Sequence, residues 1–183
     1  VQGYISQLPF ILQVLLIILV ADLMQYFVHR AYHEVPYLWR FHGIHHSAKE
    51  MDWLAGSRQH ILEILVTRSL VLTPIFVLGF SQQVISLYVI IVGFQAVFNH
   101  ANVRVKFGWL KYLLVTPQFH HWHHSSDKAA IDRNYAAHFS LLDYVFGTAV
   151  KGQQEWPEAY GVVGDYVPTG MLKQQLFPFK KQK

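Results

Sequence analysis

The sequence predicts an all-α fold: an integral membrane helical bundle with a cytoplasmic histidine-rich helical cap. Three observations support this prediction. Hydrophobic residues make up 52% of the 183 residues and charged residues only 14%, which is too apolar for an ordinary soluble domain. Apolar stretches long enough to cross a bilayer alternate with polar segments. All twelve histidines lie in the polar segments. The length favours a single domain, and the chemistry is expected where the histidines are.

Three membrane spans are predicted. Residues 8–28 contain a single charge, Asp22, and match one membrane thickness of helix. Residues 61–99 are too long for one span and are interrupted by a short polar turn. They therefore predict a hairpin of two spans, at about 61–79 and 82–99.

The predicted topology also separates the charges. One crossing followed by a hairpin places residues 29–60 and 100–183 on the same side of the bilayer. Every lysine and arginine except Arg68 lies in those two segments, so the positive-inside rule predicts that this side is cytoplasmic, in a bacterial inner membrane or the endoplasmic reticulum. We interpret 29–60 and 100–150 as the histidine-rich cap and 151–183 as an irregular cover. Because the basic charge follows the membrane topology, no nucleic-acid partner is predicted.

Eight histidines form three groups with helical spacing. One is an HxxxH pattern and two are HxxHH patterns, and spacings of three and four residues place side chains on one face of a helix. Neutral imidazole is a good ligand for iron, zinc, copper or nickel. Eight ligands exceed the four or so that one zinc ion takes, so two metal ions are predicted. A pH-sensing or incidental histidine surface is the alternative interpretation. The residues are His29 and His33, then His42, His45 and His46, then His120, His123 and His124.

Several classes of site are excluded or weakened. Without cysteine there is no disulfide framework, thiolate-ligated haem or iron–sulfur cluster. A membrane zinc protease would carry HExxH, but residues 33–37 read HEVPY and have proline where a helix is required. A non-enzymatic metal carrier or zinc transporter is kept as the alternative function. It would need ligands near the bilayer midplane, where the predicted spans offer only Asp22.

Five segments resemble successive signatures of the fatty acid hydroxylase/sterol desaturase superfamily, in order from about residue 20 to 150. They are DLMQYFVHRAYH (22–33), LWRFHGIHHS (38–47), FNHANVRVKFG (98–108), TPQFHHWHHSS (116–126) and DRNYAAHFSLLDYVFGT (132–148). The resemblance implies a membrane diiron oxygenase that uses dioxygen and external electrons to hydroxylate or desaturate a lipid, whether a sterol, a fatty acyl chain or a sphingoid base. It implies two iron ions as cofactor, with zinc as a possible substitute in a purified sample. The implied electron donor is a separate protein of the cytochrome or ferredoxin type.

The resemblance also implies a ligand set and no catalytic side chain beyond it. Some relatives carry a further histidine at the position of Ala96, so a tenth ligand is left open. His60, His138 and, through a water molecule, Asn102 are the candidates, although an interfacial histidine or amide is the favoured interpretation of each. His121 is predicted to lie on the surface, because helical spacing points it away from its neighbours. The nine implied ligands are His29, His33, His42, His45, His46, His100, His120, His123 and His124.

Four further polar residues receive expectations. Asp22 either orients a ligand imidazole or makes a helix–helix hydrogen bond. Asp143 either holds a ligand histidine or caps a helix. Glu63 and Arg68 are expected near the membrane interface, where long side chains can snorkel.

Overall fold

The computed structural model describes residues 3–152, 155–164 and 166–180. Within these ranges the chain forms α-helices and short 3-10 turns, and its β pairing is one isolated bridge between Ser125 and Tyr160. The all-α prediction is confirmed for this part of the chain. The helices are α1 (Phe10–Glu34), α2 (Pro36–His46), α3 (Ile61–Leu78), α4 (Gln82–His100), α5 (Pro117–His123), α6 (Leu141–Val145) and α7 (Met171–Leu176).

Helices α1, α3 and α4 are long and apolar enough to cross a membrane, which confirms the prediction of three candidate spans. α1 continues six residues beyond residue 28, the predicted end of the span. It ends where Val35 is extended, as expected for the residue before a proline, and Pro36 opens α2 at the first helical position. The extension matters because His29 and His33 lie within it.

A tight turn joins α3 and α4 into the predicted hairpin. Gly79 follows α3 with a φ of 74°, in the left-handed region that glycine adopts readily. α4 then begins at Gln82.

Both helices of the hairpin pack along α1. At the end away from the histidines the three helices share one apolar cluster. Its buried members are Val14, Ile17, Ala21, Val71, Ile75, Phe80, Val84, Ile85 and Tyr88. The outer faces carry large exposed apolar side chains, for example Phe76, Ile90 and Phe94. Such faces suit a lipid environment.

The short helices lie at the histidine end. α2 packs on α1 and α5 packs on α4, so each short helix is paired with a span. The segment interpreted as an irregular cover includes a short helix, α7, and its residues Val167 and Phe177 pack on Ile44 of α2. Residues 153, 154, 165 and 181–183 of the cover lie outside the described residues.

Candidate metal centre

The nine histidines named by the resemblance lie in two adjacent buried groups. In each group the nitrogen atoms available to a metal lie within 4.8 Å of one another. The groups meet where the rings of His46 and His124 stack at 4.3 Å. The first group comprises His29, His33, His42, His46 and His123, and the second comprises His45, His100, His120 and His124.

Each HxxHH motif is divided between the two groups. In α2, His42 and His46 belong to the first group while His45 belongs to the second. The motif at α5 does the reverse, because its pair four residues apart serves the second group and His123 serves the first. Residues four apart share a helix face, whereas the residue between them is rotated toward the neighbouring group. The motifs therefore interlock the two groups, an arrangement that the sequence analysis did not predict.

One loop, residues 132–135, contacts the outward-facing nitrogens of three histidines of the first group. It supplies one carboxylate and two main-chain carbonyls to the Nδ1 atoms. The contacts are His33 Nδ1 to Asp132 Oδ1 at 3.2 Å, His123 Nδ1 to Arg133 O at 2.7 Å and His29 Nδ1 to Tyr135 O at 2.7 Å. Since a carbonyl oxygen only accepts, Nδ1 of His29 and of His123 carries the proton. Their Nε2 atoms are left with a free lone pair.

A buried carboxylate contacts a fourth histidine of the first group, His42. Glu63 Oε1 lies 2.5 Å from His42 Nδ1, and Glu63 is only 5% exposed. The expectation that Glu63 snorkels at the interface is therefore wrong. α3 begins at the histidine end, and its first turn directs Glu63 at α2. A carboxylate behind a metal-binding histidine fixes the ring and raises its basicity.

Two aspartates in turn fix the loop that begins at residue 132, because their carboxylates accept hydrogen bonds from five successive main-chain N–H groups. Asp143 accepts from Tyr135 and Ala136 at 2.8 and 2.9 Å, and Asp22 accepts from Ala137, His138 and Phe139 at 2.9, 3.0 and 2.6 Å. Asp22 neither orients a ligand imidazole nor bonds another helix, and Asp143 neither holds a histidine nor caps a helix, so the expectations for both residues are wrong. Both buried carboxylates bind loop amides, which compensate for their loss of water. We call residues 132–139 the clamp loop.

The second group has fewer outer contacts. Two of its Nδ1 atoms donate to main-chain carbonyls, His45 to Arg58 O at 3.2 Å and His100 to Ala96 O at 2.7 Å. The Nδ1 atoms of His120 and His124 are buried and have no hydrogen-bond partner among the described residues. No carboxylate hydrogen bond to this group is found in the described part of the chain.

The lone pairs inside each group fit a metal ion. His45 Nε2 and His100 Nε2 are 3.3 Å apart, yet each ring has its proton on Nδ1, so neither Nε2 has a hydrogen to share. Other Nε2 pairs lie at 3.0 to 3.1 Å, and Nε2 of His33 and of His123 is buried without a partner. Two nitrogens bound to one ion at about 2.1 Å lie roughly 3.0 to 3.4 Å apart. A cation in each group would satisfy these atoms.

Burial keeps the cap histidines neutral. Desolvation, followed by repulsion from neighbouring imidazoles, lowers the pKa of His42, His46 and His124 well below the usual 6.5. The same cause lowers the pKa of His45, His120 and His123. Neutral imidazole is the form that binds metals, so these histidines need no deprotonation near neutral pH.

Neither His60 nor His138 joins either group. His60 begins α3, where its Nδ1 accepts from Leu62 N–H and its Nε2 donates to a carbonyl of the cover. Asn102 donates to Met51 O. His138 is buried beside Tyr88, and burial lowers its pKa to about 4.

His121 is fully buried, so the prediction of a surface position is wrong. Its Nε2 donates to the His100 carbonyl at 3.3 Å, and its Nδ1 accepts from the Tyr160 hydroxyl at 2.8 Å. The cover packs on the side of α5 that helical spacing leaves free, as shown by the ring of Trp156 at 4.5 Å. Burial lowers the pKa of His121 to about 4.

Two cavities reach the groups from different sides. The inner cavity, about 130 Å³, lies among the three spans and is lined by residues such as Gln25, Thr67 and Tyr88. It touches histidines of both groups, namely His29, His42, His45, His100 and His120. The outer cavity, about 320 Å³, lies beside α2 and the clamp loop and touches histidines of the first group only, namely His33, His46 and His123. Arg68, which was expected near the membrane interface, is exposed and lines the inner cavity.

The positions of the groups do not favour a metal carrier. Transport sites lie near the bilayer midplane on facing helices. Here the histidines lie at the ends of α1 and α4 and on the short helices α2 and α5, with a closed apolar cluster at the other end of the spans.

Comparison with known proteins gives named relatives. Ornithine lipid hydroxylase OlsE of Rhizobium tropici is 31% identical over 177 residues, which cover 97% of this chain and 53% of that protein. Alkylglycerol monooxygenase of Homo sapiens is 32% identical over 130 residues, covering 69% of this chain and 28% of that protein. Fatty acid hydroxylase vlmA of Lecanicillium sp is 29% identical over 160 residues, covering 79% of this chain and 41% of that protein. The chain thus spans about half the length of these relatives, or less.

No solved structure matches the chain. The family model described as fatty acid hydroxylase matches residues 14–148, a range that contains both histidine groups and the clamp loop. With most of its length and its whole candidate metal centre inside that match, the chain belongs to the fatty acid hydroxylase family.

Proposed function

We propose that this protein is a membrane-bound diiron oxygenase that hydroxylates a lipid C–H bond with dioxygen and external electrons. The observation that carries the proposal is the convergence of imidazole lone pairs in two adjacent groups beside a cavity among the spans. Desaturation remains the other outcome of the same chemistry. The printed names of the relatives, which are hydroxylases and monooxygenases, favour hydroxylation.

Iron is proposed for both groups, with all nine histidines as ligands. No side chain oxidises an unactivated C–H bond, so a redox-active metal must supply that chemistry. When bound, the iron pair would activate dioxygen so that lipid, dioxygen, two electrons and two protons give hydroxylated lipid and water. Zinc suits the same nitrogens but has no redox chemistry, so zinc in a purified sample would occupy the groups without activity.

The chain's own contribution is orientation. The inner cavity touches both groups, so a lipid segment lying in it would be near both ions. Its walls come from the histidine ends of the three spans, where Ile64 and Val92 provide apolar contacts. We expect a lipid to approach the groups from the bilayer side, without crossing the cap, and the burial of the histidines to limit their contact with bulk water.

The electrons must come from outside this chain. With no cysteine it holds no cysteine-ligated cluster, and we propose a cytochrome or ferredoxin type of donor protein. The histidine end is proposed to be cytoplasmic, because the lysines and arginines outside Arg68 lie in segments at that end.

Oxygen uptake tests this function. Iron-loaded protein in lipid nanodiscs, supplied with a bacterial total lipid extract and a ferredoxin system, should consume dioxygen and place one of its oxygen atoms in a lipid product detected by isotope labelling. His45→Ala should abolish the uptake. His60→Asn is the matched control, since it removes a histidine outside both groups and keeps an acceptor at the start of α3.

Two results would contradict the proposal. One is protein that holds two irons yet shows no lipid-dependent oxygen use. The other is metal flux into sealed vesicles that depends on His45, which would instead identify a carrier.

A further inference from the structure

One aromatic side chain connects the first histidine group with the wall of the outer cavity. The indole ring of Trp39, in α2, lies 5.0 Å from the ring of His33 and 5.3 Å from that of His46, measured between centroids. Trp39 is half-buried and lines the outer cavity. It therefore contacts two proposed iron ligands on one side and the cavity on the other.

A second aromatic side chain continues the contact to solvent. Trp39 Nε1 donates to the Tyr166 hydroxyl at 2.7 Å, and Tyr166 is 45% exposed. The ring of Tyr166 also lies 6.1 Å from that of Phe177, which is buried against α2. An unbroken series of contacts thus runs from the surface through Tyr166 and Trp39 to the first group.

The cavities differ in what can reach them. The inner cavity lies among the spans, where a water-soluble protein cannot enter. The outer cavity, at about 320 Å³, admits small molecules but no protein domain. A protein donor must therefore pass its electrons through protein atoms. Such transfer weakens steeply across gaps and is strongest along contacting rings and hydrogen bonds.

We propose that Tyr166 and Trp39 form the electron entry to the first histidine group. The inference rests on the proposed iron occupancy of that group. One electron leaves an iron–sulfur or haem protein at the surface, which is oxidised by one electron. The electron would tunnel through Tyr166 and Trp39 to His33 or His46, the histidines that would hold the ion, and would reduce one bound iron from the ferric to the ferrous state. No bond forms or breaks, no proton moves, and neither aromatic side chain is itself oxidised.

The chain offers a matched control for Trp39. Trp156 is also half-buried and also contacts a histidine, with ring centroids 4.5 Å apart, but that histidine is His121, which lies outside both groups. Trp156→Leu therefore removes an indole from a histidine contact without touching the proposed route.

The absence of cysteine allows a direct measurement. A single cysteine introduced by Val163→Cys, at a position that is 62% exposed and lines the outer cavity, can be labelled with a ruthenium polypyridine photosensitiser. In the iron-loaded protein a light flash excites the photosensitiser, which takes an electron from a sacrificial donor in solution and passes it toward the ferric centre. The change in absorbance of the iron centre reports the rate of its reduction. We expect Trp39→Leu in this background to slow the reduction severalfold, because the variant loses the ring contacts with His33 and His46 and the hydrogen bond to Tyr166. Tyr166→Phe should slow it less, because the ring remains and only the hydrogen bond is lost.

Reduction by dithionite serves as the second readout. This small reductant can enter the outer cavity, so the rate at which dithionite reduces the iron should not fall in Trp39→Leu or Tyr166→Phe. A general disturbance of the ligands would instead change both the dithionite rate and the flash rate. Trp156→Leu should leave both rates unchanged.

An unchanged flash rate in Trp39→Leu with both irons retained would overturn the proposal. Should Trp39→Leu lose iron, Trp39→Phe and Tyr166→Phe decide the matter: slower flash reduction with unchanged dithionite reduction supports the route, and unchanged flash reduction refutes it. A parent protein that binds no iron would instead refute the proposed function, so iron analysis separates the two failures.

Discussion

The two histidine groups share one plan but are supported differently. Each is built from a span and the short helix packed on it, α1 with α2 and α4 with α5. Each short helix gives its pair of histidines four residues apart to its own group and the third histidine to the other. The plan differs in one respect, because α1 gives two histidines to the first group and α4 gives one to the second. The other differences arise from what surrounds the groups.

The two groups differ in the number of histidines and in the charged residues around them. The first group has five histidines, and four of them have an outer partner, including the carboxylates of Glu63 and Asp132. The second has four histidines, two of which have only a main-chain carbonyl behind them. Outer partners orient ligands and raise their basicity. We therefore expect the first group to bind its ion more tightly, and the second to depend on each of its ligands.

Removing one ligand from each group should show the largest difference. His46→Ala leaves four histidines in the first group, whereas His124→Ala leaves three in the second. Because structural sites commonly need about four ligands, His124→Ala should lower the metal content from two ions per chain to one, while His46→Ala keeps both. Elemental analysis after dialysis measures this. Equal losses in the two variants would show that the groups are equivalent.

The next effect concerns the carboxylate behind His42. Glu63→Gln should weaken metal binding in the first group by about 10- to 100-fold, since the ring loses its charged acceptor. Titration with cobalt against a chelator reports the affinity of both groups. Glu34→Gln is the control, because Glu34 is exposed and paired with Arg30. Weakening of the second group alone would contradict the assignment of Glu63.

The second group can be disturbed without changing a ligand. A Cβ at Gly56 would lie 2.9 Å from His100 Nδ1, so Gly56→Ala must displace that ring. We expect severalfold weaker binding of the second ion and no change in the first. Gly93→Ala is the control in α4, because nothing lies within 4 Å of its Cβ. The same cobalt titration measures both, and an unaltered second group would show that His100 has room to move.

The smallest expected effect tests the support beneath the clamp loop. The hydroxyl of Tyr26 bonds Thr148 at 2.8 Å, and Thr148 donates to Asp143 at 2.6 Å. Tyr26→Phe should lower the free energy of unfolding by about 1 kcal/mol, as expected for one buried hydrogen bond, and leave the metal content unchanged. Thermal unfolding in detergent measures the change, with the exposed Tyr37 mutated to Phe as control. Loss of metal from the first group would show that the loop depends on this bond.

Local patterns were enough to predict the fold class, the three spans and eight of the nine histidines in the two groups, whereas His100 was named only through the family resemblance. Apolar length identifies a span without knowledge of its neighbours. Histidines spaced by three and four residues mark a helix face in the same way. Hydropathy falls at residue 28, where the predicted span ends, and the helix continues to Glu34, so that His29 and His33 share its face as their spacing predicts.

The partners of the buried polar side chains depended on contacts between residues far apart in the sequence. Local patterns in the chain specify which helices form and place the histidines at one end of them. Only the tertiary structure assigned Asp22 to loop amides 115 to 117 residues away, buried Glu63 behind His42 and covered His121. It also divided each HxxHH motif between two groups. Helix periodicity gives the direction of a side chain relative to its own axis, but the partner that it meets depends on how separate helices and loops pack.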